Sequence, residues 1–153
     1  MGKRDVFISI VIVVSSILID QITKRYAQCI KANTVIVDGL VNFVYSWNKG
    51  VSWGIFSSFG QPAIVLTALL IVLVLVFWLY RAPLVRKVGI SFMIGGAIGN
   101  LIDRIIYGAV FDFLDFYHGE WHFPAFNVAD ILISVGVIIS VTESLYDCKN
   151  KRV

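Results

Sequence analysis

Ala63 to Tyr80 is a run of 18 residues without a charge, and Pro62 stands directly before it. About 20 apolar residues wound as a helix cross a bilayer, where the backbone must satisfy its own hydrogen bonds. The run therefore predicts a transmembrane scaffold helix over 62–80. Val6 to Ile19 lies behind Lys3 and Arg4, a pattern that mimics the first two regions of a signal peptide. Asp20-Gln21-Ile22-Thr23-Lys24 follows without a small-residue cleavage site, so an uncleaved helix over 6–25 is expected, with Asp20 at or inside the far interface. Further spans are expected over 88–107 and 128–146. At 58% hydrophobic and 15% charged residues, the chain is far from the roughly 25% charge of soluble domains. The fold class is all-α integral membrane: four transmembrane helices in a single membrane-embedded domain covering 1–153, with no repeat, low-complexity tract or linker.

The segments between the spans differ in kind. Residues 27–61 hold β-branched and aromatic stretches, Val35-Ile36-Val37 and Leu40 to Trp47, bounded by Asp38-Gly39 and Asn48-Lys49-Gly50. These predict short strands joined by turns, a small extracytoplasmic sheet between helices 1 and 2. Trp47, Trp53, Phe56 and Phe59 suit an interfacial aromatic belt. Residues 108–126 read as an outer loop, with Pro124 restraining the return. Lys and Arg number 8 on the side holding the termini and the 81–87 loop, against 5 on the other. The positive-inside rule then puts both termini in the cytoplasm. The same distribution accounts for the net charge of +3 without a nucleic-acid partner. Cys29 and Cys148 fall on opposite sides, which argues against pairing.

One stretch breaks the apolar pattern: Gly95-Gly96-Ala97-Ile98-Gly99-Asn100-Leu101-Ile102-Asp103-Arg104. Charge at membrane depth costs several kcal/mol and usually marks function. Gly95-x-x-x-Gly99 has the spacing of a helix-packing face, which explains the glycines but not Asn100, Asp103 and Arg104. Asn127 is placed to cap the last helix, with Asp130 in its first turn. With helices 3 and 4 antiparallel, Asp103 and Asp130 share a membrane depth, and Asp112 lies on the connection. Converging carboxylates leave three functions open. One is an aspartyl hydrolase, in which one acid activates water while its protonated partner donates to the scissile carbonyl. Another is a metal site drawing on Asp112, Asp115, His118, Glu120 and His122. The third is a proton- or ion-coupled carrier.

Ordered blocks along nearly the whole chain resemble the lipoprotein signal peptidase (signal peptidase II) family. Asp20-Gln21-Ile22-Thr23-Lys24 is similar to D-Q-x-[TS]-K, and Asn48-Lys49-Gly50-Val51-Ser52-Trp53 to N-x-G-A-A-[FW], with Val51 and Ser52 replacing alanines. Gly95 to Arg104 resembles G-G-A-x-G-N-x-x-D-R, Val110-Phe111-Asp112-Phe113 resembles V-x-D-F, and Phe123 to Asp130 resembles F-P-x-F-N-x-A-D. The resemblance implies a membrane aspartyl protease with Asp112 and Asp130 as its catalytic dyad. It places Asn100, Asp103, Arg104 and Asn127 around substrate, with Asp20, Lys24, Asn48, Gly50 and Gly96 in support. It further implies a monomer in the bacterial inner membrane, without cofactor or metal, with its site near the outer face. The substrate would be a diacylglyceryl-modified prolipoprotein, met among membrane lipids and cut just before the lipidated cysteine.

Overall fold

The computed structural model describes residues 2–50 and 60–150. Among them four helices are long and apolar enough to cross a membrane: α1 (Lys3–Cys29), α2 (Gly60–Arg81), α3 (Leu84–Tyr107) and α4 (Val128–Asn150). Most of the apolar surface of α1, α2 and α4 faces outward, as lipid-bathed helices require. The most buried of the four is α3, which packs against all the others. Pro83 precedes its first turn, and Gly108 ends it at φ 68, donating its N–H to the Arg104 carbonyl at 3.1 Å.

Small residues bring the helices together around α3. A Cβ on Gly95 would run into Ser16 of α1, and one on Gly96 would lie 2.5 Å from the Ala129 carbonyl oxygen of α4. A Cβ on Gly99 would lie 2.5 Å from the Asp20 carboxylate, while Gly89 and Gly136 close the α3–α4 crossing lower down. The glycine face is therefore a packing face, and through Gly99 it also admits a carboxylate to the helix surface. Away from the polar end, Leu75, Ile90 and Ile94 form an apolar core with Val13, Val72 and Met93 around them.

The sheet contains more chain than the sequence reading allotted to it. Strands β1 (Thr34–Val37) and β2 (Val41–Asn48) lie between the first two helices, with Gly39 in the turn at φ 70. The segment 108–126, read as a loop, supplies β3 (Val110–His118) and β4 (Trp121–His122), giving an antiparallel sheet in the order β1-β2-β3-β4. Its alternation was hidden because Val110, Phe111, Asp112 and Phe113 are all buried, so the first half of β3 has no exposed face. Phe111 and Phe113 pack with Ala27 of α1, and Phe43, Leu114 and Val128 border them. Between Phe43 and Ser46, β2 carries one residue more than β3 does between Leu114 and Asp112. This bulge lies directly against Asp112, and such irregularities re-aim side chains beside active sites. Trp47 is exposed at the sheet, as a belt residue would be. Trp53, Phe56 and Phe59, together with the substituted Val51 and Ser52, lie outside the described residues.

Candidate active site

The polar residues of α1, α3, β3 and α4 meet at one end of the bundle and form a continuous network. Asn127 is its junction. The Asn127 side-chain amide donates to Asp112 Oδ1 at 2.7 Å and to Asn100 Oδ1 at 3.1 Å. Its Oδ1 accepts the Asp130 N–H at 3.1 Å, while its own N–H donates to Asp130 Oδ2 at 3.1 Å. That reciprocal pair is a helix-capping arrangement. It also holds one residue against both Asp112 and Asp130. Asp130 Oδ1 accepts Asn100 Nδ2 at 2.9 Å, so both oxygens of this carboxylate have N–H donors.

Beneath the two acids lies a buried ion cluster. Lys24 Nζ sits 2.9 Å from Asp20 Oδ2, 2.8 Å from Asp103 Oδ2 and 2.9 Å from Asn100 Oδ1, thereby spending all three donors. Asp20 Oδ1 accepts the Ala129 N–H of α4 at 3.0 Å, and Asp103 Oδ2 accepts the Phe111 N–H of β3 at 3.2 Å. These bonds tie the helix bearing Asp130 to α1 and the strand bearing Asp112 to α3, and Lys24 joins the two carboxylates. Asp20 is fully buried, and α1 runs on past it to Cys29, so it does not end the helix. Gln21 braces the cluster, donating to Asp20 Oδ2, to the Gly99 carbonyl and to Asp103 Oδ1 at 3.1–3.2 Å. Gln21 was not among the expected site residues. Its signal lay in its position between Asp20 and Lys24 on one face of α1.

Burial pushes the Asp112 carboxyl up to about 6 from its ordinary 3.8. A hydrogen bond from Asn48 opposes that shift, the Asp130 charge adds to it, and Asn127 and Lys24 oppose it more weakly. Asp112 is thus an acid poised to carry or lose a proton near neutrality. Asn48 reaches it from the end of β2, and Asn48 Oδ1 accepts the Gly50 N–H at 2.8 Å in a tight turn with Gly50 at φ 77. The Asn48-Lys49-Gly50 stretch is therefore a turn and a support for the acid at once.

A Cβ on Gly50 would lie 3.3 Å from Arg104 Nη1. That guanidinium interacts electrostatically with Asp112, Asp130 and Asp103. Its Nη1 is buried without a hydrogen-bond partner among the described residues. A donor so placed has an unmet demand for a carbonyl or carboxylate oxygen. Gly96 stands one helical turn below Asn100, where its missing side chain lets the Ala129 backbone approach.

The other acids of the 108–126 segment stay apart. Asp115 is three residues from Asp112, so strand alternation turns it to the opposite face, where its Oδ2 contacts His122 Nδ1 at 2.7 Å. His118 and Glu120 are exposed at the hairpin. The metal set considered from sequence is not assembled, and no group of three His, Cys, Asp or Glu side chains converges among the described residues.

Known proteins match along the same length. The model of the family described as signal peptidase (SPase) II matches residues 12–146. A lipoprotein signal peptidase of Anaplasma phagocytophilum is 36% identical over 147 residues, 93% of this chain and 94% of that protein. One of Rickettsia bellii is 40% identical over 147 residues, 90% of this chain and 74% of that protein. Two solved structures described as bacterial membrane enzymes superpose with TM-scores of 0.81 and 0.79 at 32% identity. They cover 94% and 91% of this chain and 90% and 93% of their own. The match runs from the first membrane helix to the last and takes in every element that contributes to the polar network, and on that footing the chain belongs to the signal peptidase II family.

Proposed function

We propose that this chain is an aspartic endopeptidase that removes the signal peptide from diacylglyceryl-modified prolipoproteins, cutting just before the lipidated cysteine. The observation that carries the reading is Asn127 holding Asp112 and Asp130 at one site, with Asp112 raised to about 6. Asp130, with N–H donors on both oxygens, starts as the carboxylate and takes a proton from water. Asp112 starts protonated and gives its proton to the scissile carbonyl oxygen as the water oxygen adds to the carbon. Collapse of the resulting diol breaks the C–N bond. The proton on Asp130 passes to the leaving amine of the cysteine, and Asp112 recovers one from the diol. Arg104 Nη1, buried and without a partner among the described residues, supports a role in holding a substrate carbonyl beside the acids.

The site lies at the end of α3 remote from the 81–87 loop, on the side poorer in Lys and Arg. Of the basic residues there, Lys24 belongs to the ion cluster and Arg104 to the site, which sharpens the contrast. Cytoplasmic termini and acids near the outer face of the membrane follow. A peptide whose cysteine carries acyl chains can reach such a site while its lipid stays in the bilayer.

The test is cleavage of a synthetic diacylglyceryl prolipoprotein peptide by the purified chain before and after exhaustive chelation. Activity should be unchanged by chelation and should decline as pH rises through about 6, where Asp112 loses its proton. Activity that collapses on chelation and returns with added metal would give the acids to a metal. Arg104→Lys should leave thermal stability intact and lower kcat/KM roughly ten- to a hundredfold, since an ammonium lacks the guanidinium fork. Unchanged kcat/KM would remove Arg104 from substrate binding.

A further inference from the structure

At the opposite end of the bundle, α2 packs chiefly on α3, and a groove opens between α2 and α4 with α3 as its floor. Its volume is about 600 Å³. Trp78, Ile90, Met93, Val137 and Leu145 line it, and Arg81 stands at its mouth. The catalytic reading makes no use of this groove, which begins at Met93, about 16 Å along α3 from Arg104.

Two cations line the groove, and among the described residues only Arg86 has an acidic partner. Arg86 contacts Glu143 Oε2 through Nε and Nη2, both at 2.6 Å, and Asp147 at 3.6 Å. Arg81 has no ion-pair partner among the described residues, and its guanidinium lies over the Phe77 ring at 4.8 Å from the centroid. Stacking uses the face of the guanidinium and leaves its edge donors directed elsewhere, the geometry that grips a phosphate. The groove itself is apolar and opens sideways to lipid. Apolar along its length and basic at one end, the groove is complementary to an acyl chain joined to a phosphate.

We infer that this groove is a binding site for an anionic phospholipid of the leaflet at the chain termini, with acyl chain against Ile90, Met93 and Val137 and phosphate on Arg81. Basic pockets between membrane helices at such a depth are suited to anionic headgroups.

Trp78 reports on the groove directly. The full-length protein is reconstituted in phosphatidylcholine vesicles containing phosphatidylglycerol brominated along its chains. Quenching of Trp78 is obtained by difference from Trp78→Phe, and brominated phosphatidylcholine serves as the reference lipid. Phosphatidylglycerol should associate about fivefold more strongly than phosphatidylcholine, the preference one exposed cation provides. Arg81→Gln should bring the two lipids to parity, and Arg81→Lys should keep most of the preference. Equal quenching by both lipids in the unaltered protein would overturn the proposal, as would a preference that survives Arg81→Gln. Loss of quenching on adding an apolar helical peptide, with lipid unable to reverse it, would give the groove to a helix instead. The assay reads lipid contact rather than turnover, so its failure leaves the peptidase reading intact.

Discussion

Asp112→Asn and Asp130→Asn should each reduce cleavage of a lipidated prolipoprotein by roughly a thousandfold or more, because acid and base act within one turnover and fail together. Both variants should stay folded: Asp112→Asn keeps an oxygen for the Asn127 donor, while Asp130→Asn gives up one of its two N–H partners and should melt somewhat lower. For Asp112 the expected result goes further. The folded protein holds that carboxyl protonated up to about pH 6, whereas the unfolded chain ionises near 3.8. Its contribution to stability is therefore complete below about pH 4 and is lost as pH rises through 6. At pH 7 or above the buried charge costs up to about 3 kcal/mol, at about 1.4 kcal/mol per pKa unit. Asp112→Asn removes that cost, so the inactive variant should melt higher than the parent at pH 7.5 and level with it near pH 4. Asp115→Asn should retain most activity, because Asp115 contacts His122 on the other face of β3. Cleavage by both asparagine variants of the proposed dyad would end the aspartic reading; a lower melting point for Asp112→Asn would contradict the burial argument alone.

The largest effect on stability should come from Lys24→Met. The side chain keeps its length and apolar stem, but Asp20 and Asp103 lose their shared cation while still buried. Breaking a buried ion pair on one side typically costs about 3–5 kcal/mol, because the remaining charge is left uncompensated. Here one ammonium serves two carboxylates and the Asn100 amide, which places the change at the upper end of that range. Thermal unfolding in detergent should show a large drop or a chain that does not survive purification. Asp20→Asn in the Lys24→Met background should recover part of the loss, because it removes one of the stranded charges. Without that recovery, packing rather than charge would explain the defect.

Much of this architecture was legible in the sequence because the bilayer narrows the choices. Apolar runs without charge mark the helices, and polar residues inside them mark the site. Asp103 and Asp130 could be placed at one depth from the antiparallel order of helices 3 and 4, whereas Asn100 and Asn127 joined them only through the family resemblance. Asp20 was seen but its depth was not, since a carboxylate near a helix end reads equally as an interfacial stop. Lys24 and Gln21 on the same helix, with the Ala129 N–H brought from α4, make its burial tolerable. Strand β3 escaped because a strand covered on both faces lacks the alternation that identifies strands. The bulge opposite Asp112 was likewise invisible, as register depends on the partner strand. The Nη1 of Arg104, without a partner among the described residues, belongs to the same class, since burial and pairing depend on what the fold brings around it.

The hydrogen bond from Ala129 to Asp20 joins residues 109 positions apart. During synthesis α1 enters the membrane first and carries a carboxylate and an ammonium for which it has no other helix. Their partners on α3 arrive later, and the N-terminal donor of α4 arrives last. A chain stopped before α4 holds Asp20 with one oxygen unanswered and has neither Asn127 nor Asp130. A fragment that stops before α4 therefore lacks half of the proposed dyad, and the first helix is finished only by the last.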